Sequence, residues 1–260
     1  MQNAVIITGG GSGLGKALAK LLSSKGESVI TIDRSGEVDL KADLSTVNGR
    51  VQAVQKSLEL CPSPKAVVSN AGLSPIHSNP IEILEVNWFG AVHILEHFLS
   101  PLSLNAGSSA VAVSSIGAAI GGDPVLEQYL LDRNSDKAID LVTKLSKASP
   151  LDAGIIAYSS CKSALARFVR LNTLKWAEAG VRLNGIAPGK METPMLDGLL
   201  AHPNVSSGIE AMPTGIAKSA PAEEVANVID FFLNPKSSFV HGQILYVDGG
   251  SEALLRPELI

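Results

Sequence analysis

The N-terminal stretch constrains this chain more than any other. An apolar run, Ala4-Val5-Ile6-Ile7, gives way to Thr8-Gly9-Gly10-Gly11-Ser12-Gly13-Leu14-Gly15, and a helical pattern opens at Gly13 and continues to Lys25. Glycines let a chain turn sharply and bring backbone N–H groups against a pyrophosphate, and the helix N-terminus adds a favourable dipole. A strand before and a helix after make a glycine-rich string a dinucleotide-binding element rather than a plain turn. Gly9, Ser12, Gly13, Leu14 and Gly15 are therefore the first cofactor-binding candidates.

The same alternation continues along the chain. Ala4–Thr8, Ser28–Ile32, Ala66–Ser69, Ala110–Ser114, Val181–Ile186 and Ile244–Val247 are short and almost wholly apolar, as strands buried on both faces are. Gly13–Lys25, Val47–Leu60, Ile81–Leu99, Ile155–Ala179 and Ala222–Leu233 carry helical patterns. Strand alternating with helix predicts an α/β fold, a doubly wound parallel sheet of Rossmann type in one domain over residues 1–260. Two segments break the rhythm. Residues 117–151 hold their own amphipathic pattern (Ala138-Ile139, Leu141-Val142, Leu145), and residues 189–220 form a Pro-, Gly- and Ser-rich stretch expected to cover the substrate.

Composition excludes several function classes. Of 260 residues, 45% are hydrophobic and 18% charged, so a large core is affordable and disorder is not expected. A net charge of −4 without a basic cluster argues against a nucleic-acid or anionic-membrane partner. Mean hydropathy is +0.24, yet no apolar run reaches the length of a membrane span. The start, Met1-Gln2-Asn3 and a four-residue apolar run, does not read as a signal peptide, so a cytoplasmic location is expected. Cys61 and Cys161 have no metal-ligand spacing and read as free thiols of a reducing compartment. His77, His93, His97, His202 and His241 are read as structural or exposed, and no metal is expected.

Asp33 closes the second strand, 18 residues beyond Gly15. A carboxylate there accepts both ribose hydroxyls of an adenosine and repels a 2′-phosphate. At about 5 Å and an effective dielectric near 20, each charge pair costs roughly 3 kcal/mol. NAD is favoured over NADP on this ground. Arg34 complicates the choice, since an arginine pairs with such a phosphate unless it simply lies in solvent. Ser12, where a basic residue would help bind the phosphate, also points to NAD.

Tyr158 and Lys162 stand four residues apart on a predicted helix, hence on one face. A tyrosine hydroxyl titrates near 10 unperturbed. A neighbouring ammonium favours the phenolate and lowers that value, suiting Tyr158 to take a proton from an alcohol or return one to a carbonyl. Alone, such a pair is usually ordinary helix surface; its company decides.

Thr8–Gly15, Asn70-Ala71-Gly72, Asn87, Ser114-Ser115, Tyr158/Lys162 and Pro188-Gly189 together resemble, in order and spacing over essentially the whole chain, the short-chain dehydrogenase/reductase family. The resemblance implies a catalytic set of Asn87, Ser115, Tyr158 and Lys162. Ser115 would orient the substrate oxygen, Lys162 would also hold the nicotinamide ribose, and Asn87 would support a water relay to the lysine. It implies further cofactor contacts at Asp43 and Leu44 beside adenine, at Asn70, Ala71 and Gly72 beside the ribose, and at Pro188, Gly189, Met191 and Thr193 near the nicotinamide. Ser69 stands where a second asparagine is common in the family.

The 43 positions from Ser115 to Tyr158 exceed the usual span and resemble the bacterial 3α-hydroxysteroid dehydrogenase/carbonyl reductase branch. So do Ala42-Asp43-Leu44-Ser45-Thr46, Asn87-Trp88-Phe89-Gly90, Ala179–Asn184, and the ending Asp248-Gly249-Gly250 with Arg256-Pro257. This implies a small hydrophobic alcohol or carbonyl substrate, steroids included. It also implies a homo-oligomer that is a dimer rather than a tetramer, because the enlargement falls where relatives pack helix on helix. The alternatives are a reductase of another small carbonyl, a sugar-nucleotide epimerase or dehydratase, and a non-catalytic NAD sensor. The short chain after Pro188 leaves little room for the sugar-nucleotide domain. A sensor would be expected to lack the tyrosine or the lysine.

Overall fold

In the computed structural model, which describes residues 3–259, the apolar runs become β1 (Val5–Thr8), β2 (Val29–Asp33), β3 (Leu40–Lys41), β4 (Ala66–Ser69), β5 (Ser109–Val113) and β6 (Arg182–Pro188). The remaining strands are β7 (Met191–Glu192), β8 (Ala220–Pro221) and β9 (Ile244–Val247). Seven of them form one sheet in the order β3-β2-β1-β4-β5-β6-β9, every pair parallel; β7 and β8 pair separately. The order reverses between β1 and β4, which places a crevice beyond the carboxyl ends of those strands.

The helices are α1 (Gly13–Ser24), α2 (Val47–Leu60), α3 (Pro80–Leu84), α4 (Ala91–Ser103), α5 (Gly117–Ile120), α6 (Pro124–Leu131) and α7 (Ser135–Ala148). After them come α8 (Pro150–Leu171), α9 (Thr173–Glu178), α10 (Pro194–Ala201), α11 (Ser206–Ala211), α12 (Ala222–Leu233) and α13 (Ser251–Leu255). Alternation along β1 divides the core in two. Val5 and Ile7 face a cluster with Leu18 and Leu22 of α1 and Val225 and Ile229 of α12. Ile6 faces the other cluster, with Trp88, Phe98 of α4, and Leu165 and Phe168 of α8. The sheet is thus covered on both faces, as the apolar strands require.

Two expected helices differ from the sequence expectation, and six short elements are new. The helix expected over Ile155–Ala179 begins at Pro150, where Ser149 accepts a hydrogen bond from the Asp152 amide, and it breaks at Asn172 into α8 and α9. The helix expected over Ile81–Leu99 starts one residue earlier at Pro80 and is interrupted by a π turn over Glu85–Gly90. The short elements β3, β7, β8, α10, α11 and α13 had no periodic signal. Met1 and Gln2 of the expected N-terminal reading lie outside the described residues.

The amphipathic pattern in residues 117–151 becomes α7, which buries Ala138 and Val142. With α6 it lies across α8, and it also meets α3. Arg133, at the end of α6, ion-pairs with Glu96 of α4 at 2.7 Å. Its guanidinium also lies over the rings of Trp88 and Phe168, at 5.2 and 5.5 Å from their centroids.

Candidate active site

A cavity of about 480 Å³ opens at the carboxyl ends of β1, β2, β4, β5 and β6. Its polar end is built on main chain. Gly9 lies at φ +69°, and a Cβ there would stand 2.8 Å from the Ala71 Cα; one at Gly15 would stand 2.1 Å from the Gly9 carbonyl oxygen. Only glycine fits either place, and the cradle that results matches a diphosphate. Thr8 is fully buried and locks this loop, its Oγ1 accepting from the amides of Asn70 and Ala71, both at 3.0 Å. Asn70 returns its side-chain amide to the carbonyls of Thr8 (2.9 Å) and Gly9 (3.2 Å).

Gly9, Ser12, Gly13 and Leu14 line the cavity, as do Asp33, Arg34, Asp43, Leu44, Asn70, Ala71 and Gly72; Gly15 supports it from behind. Asp33 takes part in the loop itself, accepting from the Gly11 amide at 3.0 Å and the Ser35 amide at 3.2 Å. Arg34 is exposed. Partial burial pushes the Asp43 carboxyl up, but hydrogen bonds from Ser45 and the charges of Arg34 and Arg50 outweigh it and hold the group below the usual carboxylate range. Arg50 carries no sequence signal, because most of its partners are main-chain carbonyls. It is buried, donates to the Leu44 carbonyl at 2.7 Å and ion-pairs with Glu85, joining the Asp43–Leu44 side of the cavity to the π turn.

The opposite wall gathers Ser115, Tyr158 and Lys162. Ser115 follows β5 and hydrogen-bonds with Tyr158; its Oγ also accepts from the Gly117 amide at 3.1 Å. Lys162 donates to the Val113 carbonyl at 2.8 Å, and its Nζ lies 5.7 Å from the centre of the Tyr158 ring. Burial pushes the Lys162 ammonium down to about 8. The Tyr158 hydroxyl differs from the sequence expectation: burial raises it, and the Ser115 hydrogen bond offsets this only in part. Loss of water around the buried phenol thus sets the direction of the shift.

Asn87 does not line the cavity. It is fully buried in the π turn, and its amide is spent on Leu73, accepting from its N–H at 2.7 Å and donating to its carbonyl at 3.0 Å. Gly72 lies between them: a Cβ there would stand 3.4 Å from Asn87 Oδ1 and 3.5 Å from Lys162 Nζ. The neighbouring Cys161 is no reactive thiol, because complete burial pushes it far up. Among the described residues, no group of three or more His, Cys, Asp or Glu is placed to share a metal ion.

Pro188, Gly189, Met191 and Thr193 line the cavity near its third side. Thr193 occupies the N-cap position of α10, yet its hydroxyl donates to the Met191 carbonyl at 3.3 Å instead of capping. The remaining wall is apolar: Leu73, Ile120, Ile155, Leu196, Leu199, Val205, Ile209 and Met212. Ile120 and Ile155 are 59% and 37% exposed, so this wall presents wet hydrophobic surface. Leu196, Leu199, Val205, Ile209 and Met212 fall in the 189–220 stretch expected to cover the substrate. Leu73, Ile120 and Ile155 come from a loop, from α5 and from α8, and share no local pattern.

Comparison with known proteins bears on this geometry. Residues 3–129 match the family described as short chain dehydrogenase, and residues 142–252 one described as enoyl-(acyl carrier protein) reductase. The 3-alpha-hydroxysteroid dehydrogenase/carbonyl reductase of Comamonas testosteroni is 35% identical, over 98% of this chain and 99% of its own. The chain belongs to the short-chain dehydrogenase family. This short-chain dehydrogenase superposes on the crystal structure of the 3-alpha-hydroxysteroid dehydrogenase from Pseudomonas sp. B-0831 complexed with NADH, with a TM-score of 0.92 at 35% identity, covering 99% and 100% of the two chains. A cis-4-hydroxycyclohexanecarboxylate dehydrogenase of Sinomonas cyclohexanicum is 26% identical over 97% of this chain and 98% of its own. The likeness to the hydroxysteroid dehydrogenase branch expected from the sequence is therefore found, and the short-chain dehydrogenase is an oxidoreductase of alcohols and their carbonyl partners.

Proposed function

We propose that the protein is an NAD-dependent dehydrogenase that interconverts a secondary ring alcohol and its ketone, 3α-hydroxysteroids included. One observation carries this reading: Ser115, Tyr158 and Lys162 share a wall where an apolar cavity meets a glycine-built cradle. Bound nicotinamide supplies or takes up the hydride. Ser115 Oγ holds the substrate oxygen. Tyr158 passes a proton to that oxygen in reduction and removes it in oxidation. Lys162 holds positive charge beside the phenol and takes the ribose hydroxyls of the cofactor. Asn87 fixes Leu73, and through it Gly72, next to that lysine.

NAD rather than NADP follows from Asp33, whose carboxylate would face a 2′-phosphate; the likeness to a dehydrogenase solved with NADH supports it. Ile120 and Ile155 favour a hydrophobic ring, because its binding removes their apolar surface from water. The deciding experiment follows NADH formation with a panel of secondary alcohols, 3α-hydroxysteroids and simple cyclic alcohols among them, each with NAD and with NADP. Turnover of the steroids with NAD supports the full reading. Turnover of other alcohols alone removes the steroid. No turnover, with NAD bound, overturns the assignment.

The proposal treats residues 1–260 as one functional domain, with 117–151 as an insertion and 189–220 as a substrate lid. A homodimer is part of it. The α6–α7 pair covers the faces of α3 and α8, while Leu245 of the edge strand β9 and Phe231 of α12 remain exposed, at 44% and 43%. An unpaired apolar edge favours a second copy. Light scattering of the native protein against a Leu245→Lys variant tests this, and a native monomer removes it. The cytoplasmic location rests on the two unpaired cysteines, and cell fractionation tests it.

A further inference from the structure

Helix α11 has little to hold it in place beyond its packing against α10. None of its six residues is buried, its N-cap carries no side-chain hydrogen bond, and Met212 at its end makes no capping N–H bond. A helix this short is not stable by itself, and its last carbonyls have no partners within the helix. Yet Ile209 of this helix and Met212 just after it line the substrate end of the cavity.

Lys190 meets this need. Its Nζ donates to the carbonyls of Ile209 at 3.2 Å and Met212 at 3.0 Å. A cation there gathers the orphan carbonyls and opposes the negative end of the helix dipole. The lysine is itself held firmly. Gly189, before it, donates to the Val247 carbonyl at 3.0 Å, and the Lys190 carbonyl accepts from Ala220 at 3.0 Å, beside the β7–β8 pairing. Lys190 makes no ion pair among the described residues, so no carboxylate competes for it.

We propose that Lys190 is a positioning residue, whose ammonium seats α11 and the Met212 turn over the substrate end of the cavity. The inference deepens the dehydrogenase reading and rests on it for its kinetic consequence. Binding of the apolar substrate then depends on a side chain that stems from the strip beside the nicotinamide end, not from the lid.

The test compares Lys190→Met and Lys190→Arg with the native full-length protein. Amide hydrogen exchange, which needs no substrate, is read over residues 203–216. Exchange there should rise roughly ten-fold or more in Lys190→Met, the expected loss for a hydrogen bond made by a charged donor, while α8 and the sheet stay protected; Lys190→Arg should restore most of it. For an accepted alcohol, KM should rise roughly ten-fold with kcat within about three-fold. Unchanged exchange in Lys190→Met overturns the proposal, and so does faster exchange with an unchanged KM. Should Lys190→Met not fold, Lys190→Gln carries the same comparison. If no alcohol is turned over, the dehydrogenase reading has failed, and the exchange result still decides what Lys190 holds.

Discussion

Ser114 donates its hydroxyl to the main-chain carbonyl of Lys162 at 2.7 Å, fastening the helix that bears Tyr158 to the end of β5. The next residue, Ser115, holds the substrate oxygen in the proposed mechanism, so two adjacent serines would divide anchoring from reaction. Ser114→Ala should cost about 1 kcal/mol of stability and lower the melting temperature by roughly 2–4 °C. Turnover should fall while NAD binding stays within about two-fold. Calorimetry beside steady-state kinetics checks this; an unchanged melting temperature refutes the anchor.

Tyr158→Phe keeps the ring at the cavity wall and removes only the hydroxyl proposed to carry the proton. Turnover should drop by about 10²- to 10⁴-fold. NADH binding, followed by fluorescence, should change little. A variant that still turns over at the native rate would remove the tyrosine from the mechanism.

Asp33→Asn removes the charge while leaving oxygen to accept from Gly11. The preference for NAD over NADP, measured as the ratio of kcat/KM values, should fall by ten-fold or more, since roughly 3 kcal/mol of repulsion disappears. An unchanged ratio would show that another group excludes the phosphate.

Lys162 gives a pH dependence with a definite sign. In the unfolded chain its ammonium persists to about 10.5, whereas in the folded protein burial lets it go from about 8. Between these values the unfolded state binds the extra proton, so native stability rises with pH across that window. Lys162→Met lacks this contribution. The stability of the native protein relative to that variant should therefore grow between pH 7 and 10.5, by on the order of 3 kcal/mol. Urea unfolding at both pH values decides; a constant difference refutes it.

Much of this was legible in the residues. Buried parallel strands are apolar throughout, so β1, β4 and β5 announce themselves, and the glycine string can serve only where side chains would collide. The start of α8 was also written in the chain, since Ser149-Pro150 is an N-cap followed by proline, a signal that apolar periodicity does not carry. The raised hydroxyl of Tyr158 was not legible, because burial depends on which elements surround it and not on the spacing of four residues. Nor was the Arg50 contact, or the apolar wall from α5 and α8, whose members share no local pattern. Lys190 carried no signal because its partners are main-chain atoms, which any sequence would supply.

The π turn at Glu85–Gly90 has a consequence for how the chain tolerates change. A π turn holds one residue more than an α-helical turn of the same reach, so the placement of Asn87 is governed by residue count as well as residue type. Deleting a single residue between Glu85 and Gly90 would leave an ordinary α-helical turn of the same reach, so α4 would keep its facing while the buried side chains of the turn itself lost theirs. Trp88 would leave Phe168, and the amide would leave Leu73. A change in length here therefore falls locally, on the buried contacts of Asn87 and Trp88, and α4 beyond it is left undisturbed.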